Sequence, residues 1–389
     1  MAYTARVAES LSAVDAGAWD ALAGPAGMLL GHAFLHGLEH TGCVGADSGW
    51  LPRHLLLFED DGAQPVGAVP LYLKSHSYGE YVFDWAWADA YARHGLDYYP
   101  KWLGAVPFTP ISGPRLLAGT DERRAALAQA LVQAARQSGL SSLHVLFPTP
   151  ADADILRDAG CMLRQGTQFH WLNAGWRDFD HFLSDLSQPK RKKIRAERRK
   201  VREAGIAVRM LAGGQIGEAH WRFFHRCYRQ TYREHMSSPY LNLAFFLYLG
   251  ERLTRHCVMA LAERDGAPIA ASLLLLDETD GRTRLYGRYW GALELVPCLH
   301  FEVAYYTPIE WAIARGVQVV EGGAQGEHKL ARGFVPVRTQ SAHWLAHPAF
   351  ADALGHFLNR ETAGVEAYEE ALHAHAPFRG GHESGPGSE

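Results

Sequence analysis

The chain predicts an α+β fold built twice, with mixed, mostly antiparallel sheets. Three observations predict it. The first is a repeat. Residues 55–73 read LLLFEDDGAQPVGAVPLYL, and residues 259–276 read MALAERDGAPIAASLLLL. Both run from an apolar strand through a Glu-x-Asp-Gly turn and a Pro into a second apolar strand. Glu59, Asp61 and Gly62 correspond to Glu263, Asp265 and Gly266, and skipping one residue near Gln64 aligns Pro65 with Pro268. Asp-Gly between apolar runs signals a hairpin, because Gly accepts the positive φ of a tight turn. Two copies about half a chain apart indicate duplication. The second observation is element order: helices, hairpin, strand, helix, strand in each half. The third is that no G-x-G-x-x-G follows a strand, so neither a doubly wound sheet nor a dinucleotide cofactor is expected.

The elements follow in order. Asp15–Ala23 and His32–Gly42 read as helices, then comes the first hairpin. Residues 81–89, YVFDWAWAD, alternate like a strand. Residues 90–117 are rich in aromatics, Gly and Pro, and read as a long functional loop. Thr120 caps a helix from Asp121 to Gln137, ended by Gly139. SSLHVLF (141–147) is a buried strand, Pro150 opens a helix that stops at Gly160, and QFHWLN (168–173) is a strand. A short helix at Phe179–Leu186 leads to a basic helix with Pro189 in its first turn and Gly205 at its end. In the second half IAVRML is a strand, and Ile216–His235 and Leu241–Thr254 are helices. After the second hairpin come strand 282–290, helix Leu299–Ala314, strand 317–323, strand 339–345 and a closing helix from Ala349 to His373. Two domains suit a chain of 389 residues. They are expected at 1–186 and 206–347, joined by the basic helix 187–205, with a C-terminal helix over 348–378 and a disordered tail over 379–389.

No apolar run approaches the ~20 residues of a membrane helix, and the N-terminus lacks a basic-then-apolar leader. A cytoplasmic location is expected. Cys43, Cys161, Cys227, Cys257 and Cys298 are scattered, with no C-x-x-C, as in a reduced protein. No His/Cys cluster has zinc spacing, so no metal is expected.

Charge is unevenly placed. Residues 190–202, KRKKIRAERRKVR, hold nine cations against Glu197 alone, a local +8, which leaves −12 of the net −4 for the rest. Such a helix repels itself unless anions neutralise it. Lys190, Arg191, Lys192, Lys193, Arg195, Arg198 and Arg199 are therefore polyanion-binding candidates. The alternative is a solvated linker helix.

The segment 321–334, EGGAQGEHKLARGF, joins a strand end, glycines and several ionisable groups. Glycines let backbone N–H groups approach a ligand. Glu327, His328 and Lys329 are catalytic candidates, with Glu321, Gln325 and Arg332 as substrate contacts. His300 and Glu302 open a helix after a strand and join the catalytic set, although a Glu there also suits the helix dipole. Arg288, Tyr289 and Trp290 end the preceding strand and are substrate-binding candidates. So are Tyr98, Tyr99, Lys101 and Arg115 of the aromatic, Pro-rich loop, which reads as a pocket wall.

The basic segment PKRKKIRAERRKVREAGIAV resembles the signature of the Fem aminoacyltransferases. Together with FDWAWADAY, YYPK, PFTPISGPRLL, LHFE and GAQGEHKLARGF, it resembles the FemAB-like peptidoglycan biosynthesis or recognition proteins over residues 5–375. The resemblance implies two tandem domains of the GNAT acyltransferase fold. It also implies transfer of an aminoacyl or acyl group to an amine, such as that of a peptidoglycan precursor, with tRNA as a partner. The Fem element Phe-Lys-x-Gly-Phe has its nearest counterpart in His328–Phe334, where Lys329 stands four before Gly333 instead of two. No resident cofactor is implied; the co-substrate would be aminoacyl-tRNA or acyl-CoA. The R/Q-x-x-G-x-G/A turn that cradles CoA pyrophosphate is not found after Trp290 or before Asp121, which disfavours CoA. The expected mechanism is amine attack on an activated carbonyl, with Glu327, Glu302 or His328 as base and Lys329 steadying the oxyanion. The alternatives are an acyl-CoA-dependent N-acetyltransferase and a non-catalytic module recognising nucleic acid or cell-wall precursor.

Overall fold

The computed structural model describes residues 2–24, 27–60, 62–279, 281–323, 326–374 and 377–378. The expected tail at 379–389 lies outside them. The chain forms two compact units, Met1–Thr167 with Arg338–Tyr368, and Gln168–Val337 with Glu369–Glu389. Strand Met162–Leu172 carries the chain out of the first unit and strand Val335–Leu345 carries it back. The sequence placed the last strand in the second domain and the basic helix between domains. In the structure the basic helix belongs to the second unit. Ser341–Leu345 instead pair with Ser142–Leu146 of the first unit, a long-range pairing that periodicity cannot reveal.

In the first unit, strands Tyr3–Ala8, His54–Glu59, Gly67–Val69 and Leu117–Ala118 form an antiparallel sheet in that order. The second strand of the first hairpin breaks at Pro70, and its continuation Leu71–Lys74 pairs with Trp50–Pro52 and Lys101–Gly104. Pro lacks the N–H that would continue the ladder, so the strand changes sheets there. Helix Asp121–Gln137 starts where Thr120 Oγ1 accepts the Arg123 N–H at 3.3 Å. Its Leu127, Ala128, Leu131, Val132 and Ala135 share one face and pack on Leu55, Leu57, Val69, Leu143 and Val145. Each fully buried Leu or Val contributes roughly 1.5–3 kcal/mol.

Residues 81–89 are not a strand. Trp85–Arg93 is a helix. The Trp-Ala alternation satisfies a two-residue period, but Trp87, Ala88 and Tyr91 also lie on one helical face. That face packs with Tyr98, Leu354 and Leu358. Ala86, Ala88, Ala90 and Ala92 favour the helix.

In the second unit, Ile206–Ala212, Cys257–Arg264, Ala267–Thr279 and Arg282–Ala292 run antiparallel in sequence order. Asp265 and Gly266 both take positive φ, 51° and 77°, as the tight turn requires. Val319–Glu321 adds in parallel beside Arg284–Tyr286, and His170–Leu172 pairs on its other side. The crossover between the parallel strands is a helical stretch from Leu299 to Ala314. The core gathers Phe169, Trp171, Phe182, Leu186, Ile194, Leu274, Leu285, Tyr306, Ile309 and Phe334. The basic helix, Gln188–Glu203, turns Ile194, Glu197 and Val201 inward and most of its cations outward.

Candidate active site

Two irregularities in the second unit bring the candidate residues together. The first is in strand Arg282–Ala292. Leu273 pairs with Tyr289 but Leu274 pairs with Gly287, so Arg288 is the extra residue of a bulge. Bulges re-aim side chains and recur beside functional sites. The second is in the crossover helix, where Glu302–Tyr306 winds as a single π-helical turn. Such turns are also frequent at functional sites. The glycine turn after Glu321 completes the group. Gly326 has φ 121°, and a Cβ there would stand 2.5 Å from the His328 ring. A Cβ on Gly322 would stand 3.0 Å from Lys329 Cε. Glycine at these positions lets the short 3₁₀ helix Glu327–Arg332 fold back over the strand end.

His328 lies on the exposed side of this helix, and its Nε2 is 3.2 Å from the Tyr305 hydroxyl. The His300 ring lies tilted against Trp290 at 4.4 Å and sits 6.2 Å from the His328 ring. Burial first, then the cations beside it, holds His328 below the usual imidazole range. Burial, then His328, Arg332 and Lys329, lowers His300 to about 4. Both imidazoles are therefore neutral proton acceptors near neutral pH. Lys329 is buried, and its Nζ donates to the Gly323 carbonyl at 2.9 Å. Burial lowers Lys329 to about 8. Arg332 is buried as well. It donates to His328 O at 2.6 Å and to both Glu197 carboxylate oxygens, and its guanidinium lies over the Phe301 ring. Glu321 is fully enclosed, and burial raises it to about 7. Its Oε2 is 3.8 Å from His170 Nε2, and burial holds that histidine down at about 3, so the pair carries no ionic bond.

The structure redistributes the other candidates. Glu302 is engaged in the interior: Arg198 clasps it at 2.9–3.2 Å and Thr307 donates to its Oε1 at 2.9 Å. Glu327 is exposed on the same short helix as His328. Arg288, Tyr289 and Trp290 are half-buried at the bulge, where Arg288 Nη2 donates to the Tyr289 hydroxyl at 3.1 Å. Gln325 lies outside the described residues. Arg115 is a structural staple, not a substrate contact. It is fully buried, and its guanidinium donates to the carbonyls of Ile111, Gly113, Pro114 and Leu146. Tyr98, Tyr99 and Lys101 belong to the first unit, in a separate cluster of buried charge.

The polyanion candidates divide in the same way. Arg191 donates to the carbonyls of Leu183, Ser184 and Leu186, satisfying the open end of the preceding helix Phe179–Asp185. Arg195 pairs with Asp180 at 3.1 Å, Arg198 with Glu302 and Glu310, and Arg199 with Glu203 at 3.6 Å. Lys192 and Lys193 are exposed and Lys190 is half-buried, with no ion pair among the described residues. A hollow of about 440 Å³ opens beside the helix, walled by Phe179, Arg195, Arg198, Arg199 and Arg202 with Asp178, Asp180 and Glu310. Sequence reasoning missed Tyr305 and Glu197. Tyr305 stands five residues after His300, a spacing that only the π turn makes neighbourly. Glu197 carried one signal, its isolation among cations.

The profile of the FemAB-like family, described as peptidoglycan biosynthesis/recognition, matches residues 10–380. The chain belongs to this family. No curated protein matches it. Among solved structures, this FemAB-like chain resembles L-PGS from Bacillus licheniformis, with 10% identity, 86% of this chain and 92% of that one covered, and a TM-score of 0.51. A conserved protein of unknown function from Bacteroides thetaiotaomicron matches at 9% identity, 88% and 100% coverage and a TM-score of 0.50. A tandem GNAT protein from the clavulanic acid biosynthesis pathway matches at 14% identity, 89% and 99% coverage and a TM-score of 0.46. Likeness at these identities concerns the fold. The FemAB-like chain is α+β with mixed sheets, the class its sequence predicted. Among the described residues, no helix is long and apolar enough to cross a membrane.

Proposed function

We propose that this FemAB-like protein transfers an acyl or aminoacyl group from an activated donor to an amine. The observation that carries this reading is the meeting of two imidazoles held below their usual range, His300 on the crossover helix and His328 on the short helix after the glycine turn, beside Lys329 and Arg332. The acceptor nitrogen attacks the donor carbonyl and forms the new C–N bond. His328, reachable from solvent and held by the Tyr305 hydroxyl, takes the N–H proton. The tetrahedral intermediate collapses, the C–O or C–S bond to the donor breaks, and the leaving group takes that proton. Lys329, whose Nζ donates to the Gly323 carbonyl, steadies the developing oxyanion. Aminoacyl-tRNA is the favoured donor, because Arg195, Arg198, Arg199 and Arg202 wall a hollow beside the basic helix and the CoA-cradling pattern is not found after Trp290 or before Asp121. A peptidoglycan precursor or another small amine is the acceptor, as the family description suggests.

Recognition without chemistry is the second reading. It is favoured by the internal pairing of Lys329 and Arg332, which donate to the Gly323 and His328 carbonyls and to Glu197. The test is mass spectrometry of an amine-bearing precursor incubated with the protein and either aminoacyl-tRNA or acyl-CoA. A mass gain with charged tRNA supports the proposal, a gain only with acyl-CoA replaces the donor, and precursor binding without any gain favours recognition.

A further inference from the structure

The first unit contains a second concentration of ionisable groups that owes nothing to the transfer chemistry. Lys101 is fully buried, and its ammonium donates to Ser77 Oγ at 2.9 Å, Glu80 Oε2 at 2.8 Å and Asp84 Oδ2. Those three bonds use all its N–H groups. The Tyr98 hydroxyl donates to the same Asp84 oxygen at 2.7 Å and lies 3.0 Å from His144 Nε2. His144 Nδ1 meets His343 Nδ1 at 2.7 Å, and both rings are buried.

Two acceptors in this cluster are left over. Glu80 Oε1 and Asp84 Oδ1 have no hydrogen-bond partner among the described residues, although Glu80 is 4% and Asp84 3% exposed. A buried carboxylate oxygen without a donor is costly. The centre therefore lacks donors, and Lys101 is the one cation hydrogen-bonded to its two carboxyl groups among the described residues. The remaining cation nearby, Lys74, is held loosely. Its Nζ reaches His76 Nδ1 and the Tyr78 carbonyl only at 3.4 Å and lies 4.1 Å above the Trp50 ring. Burial lowers Lys74 to about 7, so this internal ammonium gives up its charge readily near neutral pH.

The cover of this centre is one segment. Residues 75–84 join strand Leu71–Lys74 to helix Trp85–Arg93 without regular structure. The segment points Ser77, Glu80 and Asp84 inward, and exposes Tyr78 and Phe83. Tyr81 takes φ 63°, a strained value for an aromatic residue. Gly79 lies so close to Phe108 that a Cβ would stand 2.7 Å from its ring.

We propose that this centre is a binding site for the ammonium group of a primary amine, received by Glu80 Oε1 and Asp84 Oδ1 when segment 75–84 lifts. An R–NH₃⁺ group supplies the missing N–H donors, and its positive charge favours the ionised form of both carboxyl groups. The flanking aromatics Trp50 and Tyr98 suit an alkylammonium ion. A divalent cation is disfavoured, because the Lys101 ammonium already occupies the position bridging the two carboxylates.

Calorimetric titration of the full chain with n-butylammonium chloride and with tetramethylammonium chloride tests the site, with amide exchange of residues 75–84 as a second readout. Butylammonium is expected to bind once per chain and to slow exchange over 75–84. Tetramethylammonium, which has no N–H, is expected not to bind. Glu80→Gln is expected to weaken binding about tenfold, or ~1.4 kcal/mol. Because that variant also deprives Lys101 of a partner, Lys74→Met gives an independent reading of opposite sign. It removes the internal competitor and is expected to strengthen butylammonium binding severalfold. Equal binding of the two ions overturns the proposal, as does no binding to either the native protein or Lys74→Met. None of these outcomes bears on the transfer reaction, which uses residues of the second unit.

Discussion

Glu197 and Arg332 are joined inside the second unit, the guanidinium Nη2 standing 3.0 and 3.2 Å from the two carboxylate oxygens. Glu197 is the one acid among the nine cations of residues 190–202. It therefore ties the basic helix to the short helix that carries His328 and Lys329, and Tyr306 donates a further hydrogen bond to it. Glu197→Ala leaves a buried guanidinium without its anion, which costs about 3–5 kcal/mol. Urea denaturation is expected to show a loss of that size. A loss below about 1 kcal/mol would mean that the pair does not hold the turn.

His328 is exposed, so its replacement should leave the fold intact. His328→Gln is expected to lower the transfer rate about 10²–10⁴-fold with an unchanged melting temperature. Because burial and neighbouring cations depress its pKa, the native rate should stay high as the pH falls through the usual imidazole range. A rate already halved at the ordinary histidine pKa would remove His328 from the base role.

Glu321 sets a pH dependence of stability. Burial raises its folded pKa to about 7 from the ordinary 4.5. Its stabilising contribution is complete below the unfolded value and is lost as pH rises through the folded one, because the fold binds the proton more tightly. Stability contributed by this group therefore falls between those two values, by up to about 1.4 kcal/mol per pH unit. Glu80, also raised to about 7 by burial, adds a slope of the same sign. Glu321→Gln is expected to flatten the curve, and guanidinium unfolding across that window measures it. An unchanged slope would place the titration elsewhere.

Gly291 lets helix Glu218–Glu234 touch the strand. A Cβ there would stand 2.2 Å from the Cys227 carbonyl oxygen, a backbone atom that cannot step aside. Gly291→Ala is expected to cost about 1–3 kcal/mol. Thermal unfolding measures the shift, and a melting temperature equal to the native one contradicts the contact.

Much of this was legible in advance. The Asp265-Gly266 turn, the cap at Thr120 and the Pro in the first turn of the basic helix are local rules, and the structure obeys them. Where two local rules competed, reading one strand at a time failed. Residues 81–89 satisfy a two-residue period and still form a helix, because Trp87, Ala88 and Tyr91 find a packing surface on that side. The candidate site was half legible: glycines followed by Glu327, His328 and Lys329 announced it. The partners of those residues did not show in the sequence. Arg115 looked like a substrate contact because its carbonyl partners, from Ile111 to Leu146, become neighbours only when the loop folds.

Sequence alone determined the α+β class, the family and the basic helix, since each is signalled by residues near one another along the chain. Tertiary structure alone decided which charges are spent and which are left open. Arg198 closes on Glu302, Glu197 turns inward to Arg332, and the free oxygens of Glu80 and Asp84 stand over Lys101. The reason is physical: the energy of a charge depends on its burial and its distance to partners, and both are set by residues many positions away.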